Sequence, residues 1–414
     1  MLSETRHRMT RRLAQWDYAQ KAIYSIVLTL ADRSRGWLGR LEKRECAKRE
    51  CAKRECAKNG APQDSSPRMA SHRTTPQDWR IEPTAYGQAV LEALDVMPRL
   101  YPQVRILARQ LMPEHFHFVA YVQAPLPKPF GELVRGFKAG AAKRWRELAK
   151  NGEPQNCAKN GEPQNCAPRG CSVAGHSCPA WSEGFQDTVL LHEGQLAAMI
   201  AYVRDNPRRL AMRRANPELF RRIARISLPL DGGRMTGQFE SLGNRFLIER
   251  PLFQVQCSRR FFAYRRIPKR GGGMKIIREA EISTAEFAAI RDDALVAAEH
   301  GAVIISPCIS DGEREIACEA LERGLPLVTL RNKGFSKLEK PSGRLFEACI
   351  EGRLLMLAPA AWPYTTAEKP MTRLDATALN RITQWLCGES AIEIDCKGMT
   401  PANIDRLAME AVQG

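Results

Sequence analysis

The chain has 414 residues, enough for two or three domains with cores of their own. Its 44% hydrophobic and 26% charged content excludes a globally disordered protein, and no run approaches the ~18 consecutive apolar residues of a membrane span. The net charge of +17 points to a polyanionic partner; the polar, Arg-rich start carries no apolar signal segment, so a cytoplasmic protein is expected, with no membrane partner.

The charge is lopsided. Residues 235–414 hold 24 Lys+Arg and 23 Asp+Glu, a net of +1, and residues 1–234 hold 39 and 23, a net of +16. An excess concentrated in this way favours phosphate contacts over a merely solubilising surface.

In chain order, "AIYSIVLTLAD" (22–32) is rich in β-branched and apolar residues and is predicted as a strand. "RECAKRECAKRECAK" (44–58) and "AKNGEPQNCAKNGEPQNC" (149–166) repeat too briefly for solenoid units. They are read as expansions in exposed loops, inserts at 44–64 and 149–170. These repeats contain five of the 13 cysteines. Cys157, Cys166, Cys171, His176 and Cys178 fit no common zinc spacing.

"AYGQAVLEALDVM" (85–97) has helical spacing, and "QVRILARQLM" (103–112) and "HFHFVAYVQ" (115–123) are two strands joined by Pro113-Glu114. "PFGELVRGFKAGAAKRWREL" (129–148) places Phe130, Leu133, Val134, Phe137, Ala141 and Trp145 on one helical face. The order strand–helix–strand–strand–helix predicts a ferredoxin-like α+β sandwich with one open sheet face. Alternation along a strand puts His115, His117, Val119 and Tyr121 on one face and Phe116, Phe118, Ala120 and Val122 on the other. Two imidazoles two residues apart can hold one metal ion, or can be two unrelated polar residues on a half-wet strand. "EGQLAAMIAYVRDNPRRLAMRR" (193–214) begins as a helix that Pro207 is expected to end or kink. Tyr202 and Asn206 share a face of it at i, i+4, and Arg204 and Arg208 form a second such pair. A tyrosine among cations can attack phosphate, or can simply pack as a surface aromatic.

Together, "LMPEHFHFVAYV" and "MIAYVRDNPRRL" resemble the single-tyrosine HUH transposases, most of all the REP-associated tyrosine transposases of bacteria. "WDYAQKAIYSIVLTLADRSRGWLGRL" (16–41) and "WSEGFQDTVLLHEGQL" (181–196) extend the likeness over about residues 13–228. The resemblance implies an HUH nuclease domain in which His115, His117 and Asn206 bind Mg²⁺ or Mn²⁺ and Tyr202 is the nucleophile. It further implies a DNA transposase that cleaves and rejoins single-stranded, hairpin-containing DNA through a 5′-phosphotyrosine link, and it admits a homodimer. Arg109, Lys138, Arg144, Arg204 and Arg208 are the expected DNA-backbone contacts. Glu114 stands where the family motif has Asn, and the family's N-terminal hairpin-reading signature is not evident.

Beyond residue 234, "LFQVQCS" (252–258), "GAVIISPC" (301–308), "LPLVTL" (325–330) and "RLLMLAP" (353–359) alternate with helical stretches. That pattern predicts a parallel, doubly wound α/β sheet over 235–414. The segment resembles the Rossmann-like domain of DNA-processing protein A and its SLOG relatives, which implies a nucleotide at Ser258, Arg259, Ser306 and Gly312. Few of that family's glycines are present, so a scaffold or protein-binding domain stays open. Two other functions also stay open: a catalytically silent, domesticated DNA-binding regulator, and a replication-initiator or relaxase-type nickase.

Overall fold

The computed structural model describes residues 16–44, 78–151, 180–257, 261–268, 274–280, 285–337, 339–366, 371–388 and 400–413. Nearly all of both repeat inserts, the cysteines at 157–178, Ser258 and Arg259 lie outside the described residues. The chain divides into two compact units, 1–212 and 213–414. The division falls before residue 234 because a strand at 223–230 pairs with the strand that follows it. The first unit holds 33 basic and 21 acidic residues and the second 30 and 25, so most of the charge excess stays with the first.

The first unit contains β1 (Ala22–Thr29), β2 (Gly39–Lys43), β3 (Trp79–Pro83), α1 (Ala85–Leu100), β4 (Val104–Leu111), β5 (His115–Val122), α2 (Phe130–Asn151), β6 (Gln186–Val189) and α3 (Gln195–Ala215). Four strands make an antiparallel sheet in the order β4-β5-β1-β6. With α1 and α2 as the connections this is ferredoxin-like strand order. β2 and β3 form a separate antiparallel hairpin between β1 and α1.

The period-2 pattern of β5 decides how the sheet is covered. Phe116, Phe118, Ala120 and Val122 are buried with Val90 and Leu94 of α1 and with Phe130, Leu133, Val134 and Phe137 of α2. On the opposite face, Val119 packs with Ala108 and with Val203, Met199 and Ile200 of α3. Thus α3 lies across the face that carries the histidines.

α1 begins at Thr84, whose hydroxyl oxygen accepts the Gly87 N–H at 3.0 Å, an N-cap bond. The same hydroxyl donates to Trp37 O at 2.6 Å, docking the helix on the segment before β2. The approach there is close: a Cβ on Gly87 would stand 1.8 Å from Leu38 O. Gly87→Ala is therefore expected to destabilise the first unit by about 3 kcal/mol or more, because backbone must move to admit the methyl. Urea unfolding should show a midpoint lowered to match.

The second unit contains β7 (Ile223–Leu230), β8 (Met235–Gly243), β9 (Leu252–Gln254), β10 (Ala263–Pro268), β11 (Met274–Ala280), α4 (Ala285–Glu299), β12 (Val303–Ser306), α5 (Asp311–Glu322), β13 (Leu327–Leu330), α6 (Arg344–Ile350), β14 (Leu354–Pro359), α7 (Arg373–Cys387) and α8 (Pro401–Val412). Its six-stranded sheet runs β7-β8-β14-β13-β12-β9. β9, β12, β13 and β14 are parallel, and β8 and β7 add an antiparallel edge. Ile304, Leu327, Leu354 and Met356 pack against α4, α5 and α6, whereas Val303, Ile305, Val328, Leu355 and Leu357 pack against α7 and α8. The parallel strands follow one another in chain order. Their connecting helices therefore share one face, and the C-terminal helix pair covers the other. The winding is single rather than double. Among the described residues no helix is long and apolar enough to cross a membrane.

Candidate functional site

The histidine face of the first sheet brings three of the expected residues together. The rings of His115 and His117 stand edge-on with centroids 4.8 Å apart. The ring of Tyr202 meets that of His117 at 6.1 Å, again edge-on. Tyr202 is 42% exposed, while His117 is buried at its back. Burial, and secondarily the charge of His115, pushes the His117 imidazole down to about 3, so it is neutral over the whole physiological range. His115 Nδ1 lies 3.2 Å from Glu114 Oε1.

α3 supplies Tyr202 and runs unbroken through Pro207 to Ala215. Proline lacks the N–H that would bond the carbonyl four residues back, here Val203 O. Asn206 Nδ2 donates to that oxygen at 3.4 Å and takes over its role. The expected end of the helix at Pro207 is thereby avoided. Asn206 is buried, one turn past Tyr202, and its amide oxygen is not used in that bond. Among the described residues no three His, Cys, Asp or Glu side chains cluster as a cation site. The two adjacent imidazoles fit a divalent cation as nitrogen donors, and the Asn206 amide oxygen, one turn past Tyr202, is an oxygen candidate on the helix.

Three of the five expected DNA contacts lie away from the histidine face and are paired within the unit. Arg109 is opposite Phe118 in the β4–β5 register, so its side chain shares the helix-covered face, where its guanidinium pairs with Asp95 of α1. Arg144 Nε donates to Glu92 at 2.5 Å. Lys138 donates to Ser182 O at 3.0 Å and to Gly184 O, and burial lowers the pKa of its ammonium. These three tie α1, α2, β4 and the segment before β6 together. Arg208 is buried and grips Asp205 through Nε at 2.7 Å and a terminal nitrogen at 3.0 Å. Arg204 alone of the five is exposed beside the site.

The residue that the sequence reading overlooked is Arg209. Its guanidinium carbon lies 5.4 Å from the centroid of the Tyr202 ring. The spacing Tyr202–Arg209 is two helical turns, so the signal was present but no more specific than that of any other arginine in "RDNPRRL".

In the second unit the two expected nucleotide residues that are described, Ser306 and Gly312, serve the interior. Ser306 is fully buried. A Cβ on Gly312 would stand 2.9–3.0 Å from Phe287, Cys257 and Phe262. The backbone N–H groups of Ile309 and Cys257 donate to the Glu313 carboxylate at 2.7 and 3.3 Å, and Ser306 Oγ donates at 3.4 Å. The donors at these strand ends, which would face an anionic ligand, are already engaged by a side chain of α5.

No family model matches the chain, and no curated protein matches it. One solved structure does. It is described as the structure of a REP-associated tyrosine transposase bound to a REP hairpin. The match has 11% identity over 48% of this chain and 74% of that one, with a TM-score of 0.25. At that score the likeness carries no weight, and the functional reading rests on the geometry of the site.

Proposed function

We propose that the first unit is a DNA strand transferase that nicks and rejoins single-stranded, hairpin-containing DNA through Tyr202. The observation that carries this reading is the accessible Tyr202 ring 6.1 Å from that of His117, on the same face as His115. The Tyr202 Oη attacks the scissile phosphorus while its proton passes to solvent. The bond from phosphorus to the 3′ oxygen breaks, and that oxygen leaves as a 3′-OH after taking up a proton. The DNA stays attached as a 5′-phosphotyrosine ester, and a returning 3′-OH reverses the step without a nucleotide cofactor. Arg209 places a positive charge against the ring of the attacking tyrosine. His115 and His117, with Asn206 or water completing the shell, would hold Mg²⁺ or Mn²⁺, whose chemistry when bound is Lewis-acid relief of charge on the phosphate oxygens.

The full-length protein, incubated with Mg²⁺ or Mn²⁺ and an end-labelled hairpin carrying a single-stranded flank, is expected to give a labelled band that survives denaturation. His117→Ala and excess EDTA should each lower its rate of formation about 10²–10³-fold, the usual loss when one electrostatic contact to the reacting phosphate goes. Full adduct yield in EDTA would remove the cation from the reading. Absence of any adduct from the wild-type chain would favour a silent DNA-binding protein instead.

A further inference from the structure

A groove of about 670 Å³ borders the site on the first unit. The β2–β3 hairpin contributes Trp79, Arg80 and Ile81, and Arg44 lies just past β2. β4 contributes Gln110, and α3 contributes Ala201, Arg204 and Pro207. Gln110 stands directly opposite His117 in the β4–β5 register, so the two side chains share a sheet face. Ala201 adjoins Tyr202 in the chain. One end of the groove is therefore the edge of the catalytic constellation.

The chemistry of the walls is that of a strand-binding groove. Three guanidiniums, on Arg44, Arg80 and Arg204, are exposed there. Arg44 and Arg204 have no carboxylate partner among the described residues. Arg80 lies 3.3 Å from Glu42 and 3.3 Å from Glu82, with all three side chains about half exposed. Exposed pairs of this kind are weak, so a phosphate can displace them at small cost. Trp79 adds an aromatic surface to the same lining. Cations that follow a backbone, interleaved with an aromatic on which a base can stack, are the shared device of single-strand grooves.

We infer that this groove holds the single-stranded flank of the DNA substrate, with Arg44, Arg80 and Arg204 on consecutive phosphates and Trp79 against a base. The inference rests on the DNA strand-transfer reading for its ligand, not for its geometry. It assigns the backbone contacts to a hairpin and a helix turn that flank the nucleophile. Arg109, Lys138 and Arg144, on the far face, take no part.

The test measures binding without chemistry. Full-length Tyr202→Phe protein, with and without the triple change Arg44→Ala, Arg80→Ala and Arg204→Ala, is titrated with a labelled single-stranded oligonucleotide at several salt concentrations. Loss of three phosphate contacts should weaken binding about tenfold or more, and should reduce the slope of log K against log salt by about 2. The thermal transition should not move, since all three arginines are exposed. The triple change Arg109→Ala, Lys138→Ala and Arg144→Ala should leave the salt slope unaltered. Equal affinity and equal slope in the groove variant would overturn the inference while leaving the phosphotyrosine reading intact. A groove variant that loses binding in a protein whose wild type never forms an adduct would keep the groove and sink the chemistry.

Discussion

Tyr202→Phe should abolish the denaturation-resistant DNA adduct while leaving DNA binding intact. The change removes one hydroxyl from a residue that is 42% exposed, so no buried hydrogen bond is lost and the ring can keep its edge-on packing with His117 and its contact with Arg209. What is lost is the only group at that position able to form the phosphate ester. Removing a covalent nucleophile lowers such a step at least about 10⁴-fold, so the adduct should fall below detection on a gel. The neighbouring helix residues make the assignment selective. Asp205 is committed to Arg208 and Asn206 to Val203 O, which leaves no second nucleophile within that turn. If Tyr202→Phe still captured DNA covalently, the nucleophile would lie elsewhere.

Glu313→Ala should damage the second unit severely. The carboxylate is buried and accepts the Ile309 and Cys257 N–H groups, and Ser306 Oγ also reaches it. Alanine leaves two backbone donors without an acceptor in a dry interior at about 1–3 kcal/mol each. The expected loss is about 2–5 kcal/mol, or roughly 5–15 °C in the melting temperature of a unit of this size. Glu313→Gln keeps one carbonyl acceptor and should lose less. The pH dependence has a definite sign. Burial raises the Glu313 carboxyl above its ordinary value of 4.5, so the folded protein holds that proton more tightly than the unfolded chain does. This contribution to stability is fully present below pH 4.5 and fades as pH rises through the raised value. Glutamine cannot titrate, so urea midpoints of Glu313→Gln should lack that fall. Unchanged midpoints in Glu313→Ala would mean that the strand-end loops do not depend on the carboxylate.

The histidine face was legible in the sequence because a strand has a period of two. "HFHFVAYV" separates His115, His117 and Val119 from Phe116, Phe118 and Ala120 with no ambiguity, and the structure packs the two sets on opposite sides. The buried parallel strands were legible as short apolar runs between helical stretches. What failed was anything that depends on a distant partner. Arg109 and Arg144 read as free cations, yet Asp95 and Glu92 lie opposite them only once α1 packs. The hairpin that carries Trp79 and Arg80 is closed across residues 45–77, so no local spacing reveals it. Pro207 looked like a helix end or kink because the sequence does not show that the Asn206 amide bonds the carbonyl left without a donor. Ser306 and Gly312 were expected to meet a nucleotide, but Glu313, next to Gly312, takes the Ile309 and Cys257 N–H groups and the Ser306 hydroxyl. Among the expected DNA contacts, the Arg208–Asp205 pair, three residues apart on one helix, could have been read locally.

If Tyr202 forms a phosphate ester with DNA, the ester itself can be isolated. Adduct made from the wild-type chain and a single-stranded hairpin substrate would be digested with nuclease and protease, and the peptides weighed by mass spectrometry. Nucleotide mass is expected on the peptide spanning Met199–Arg204, with fragment ions locating it on Tyr202. The same mass on another tyrosine, or on a serine or cysteine, would contradict the Tyr202 assignment.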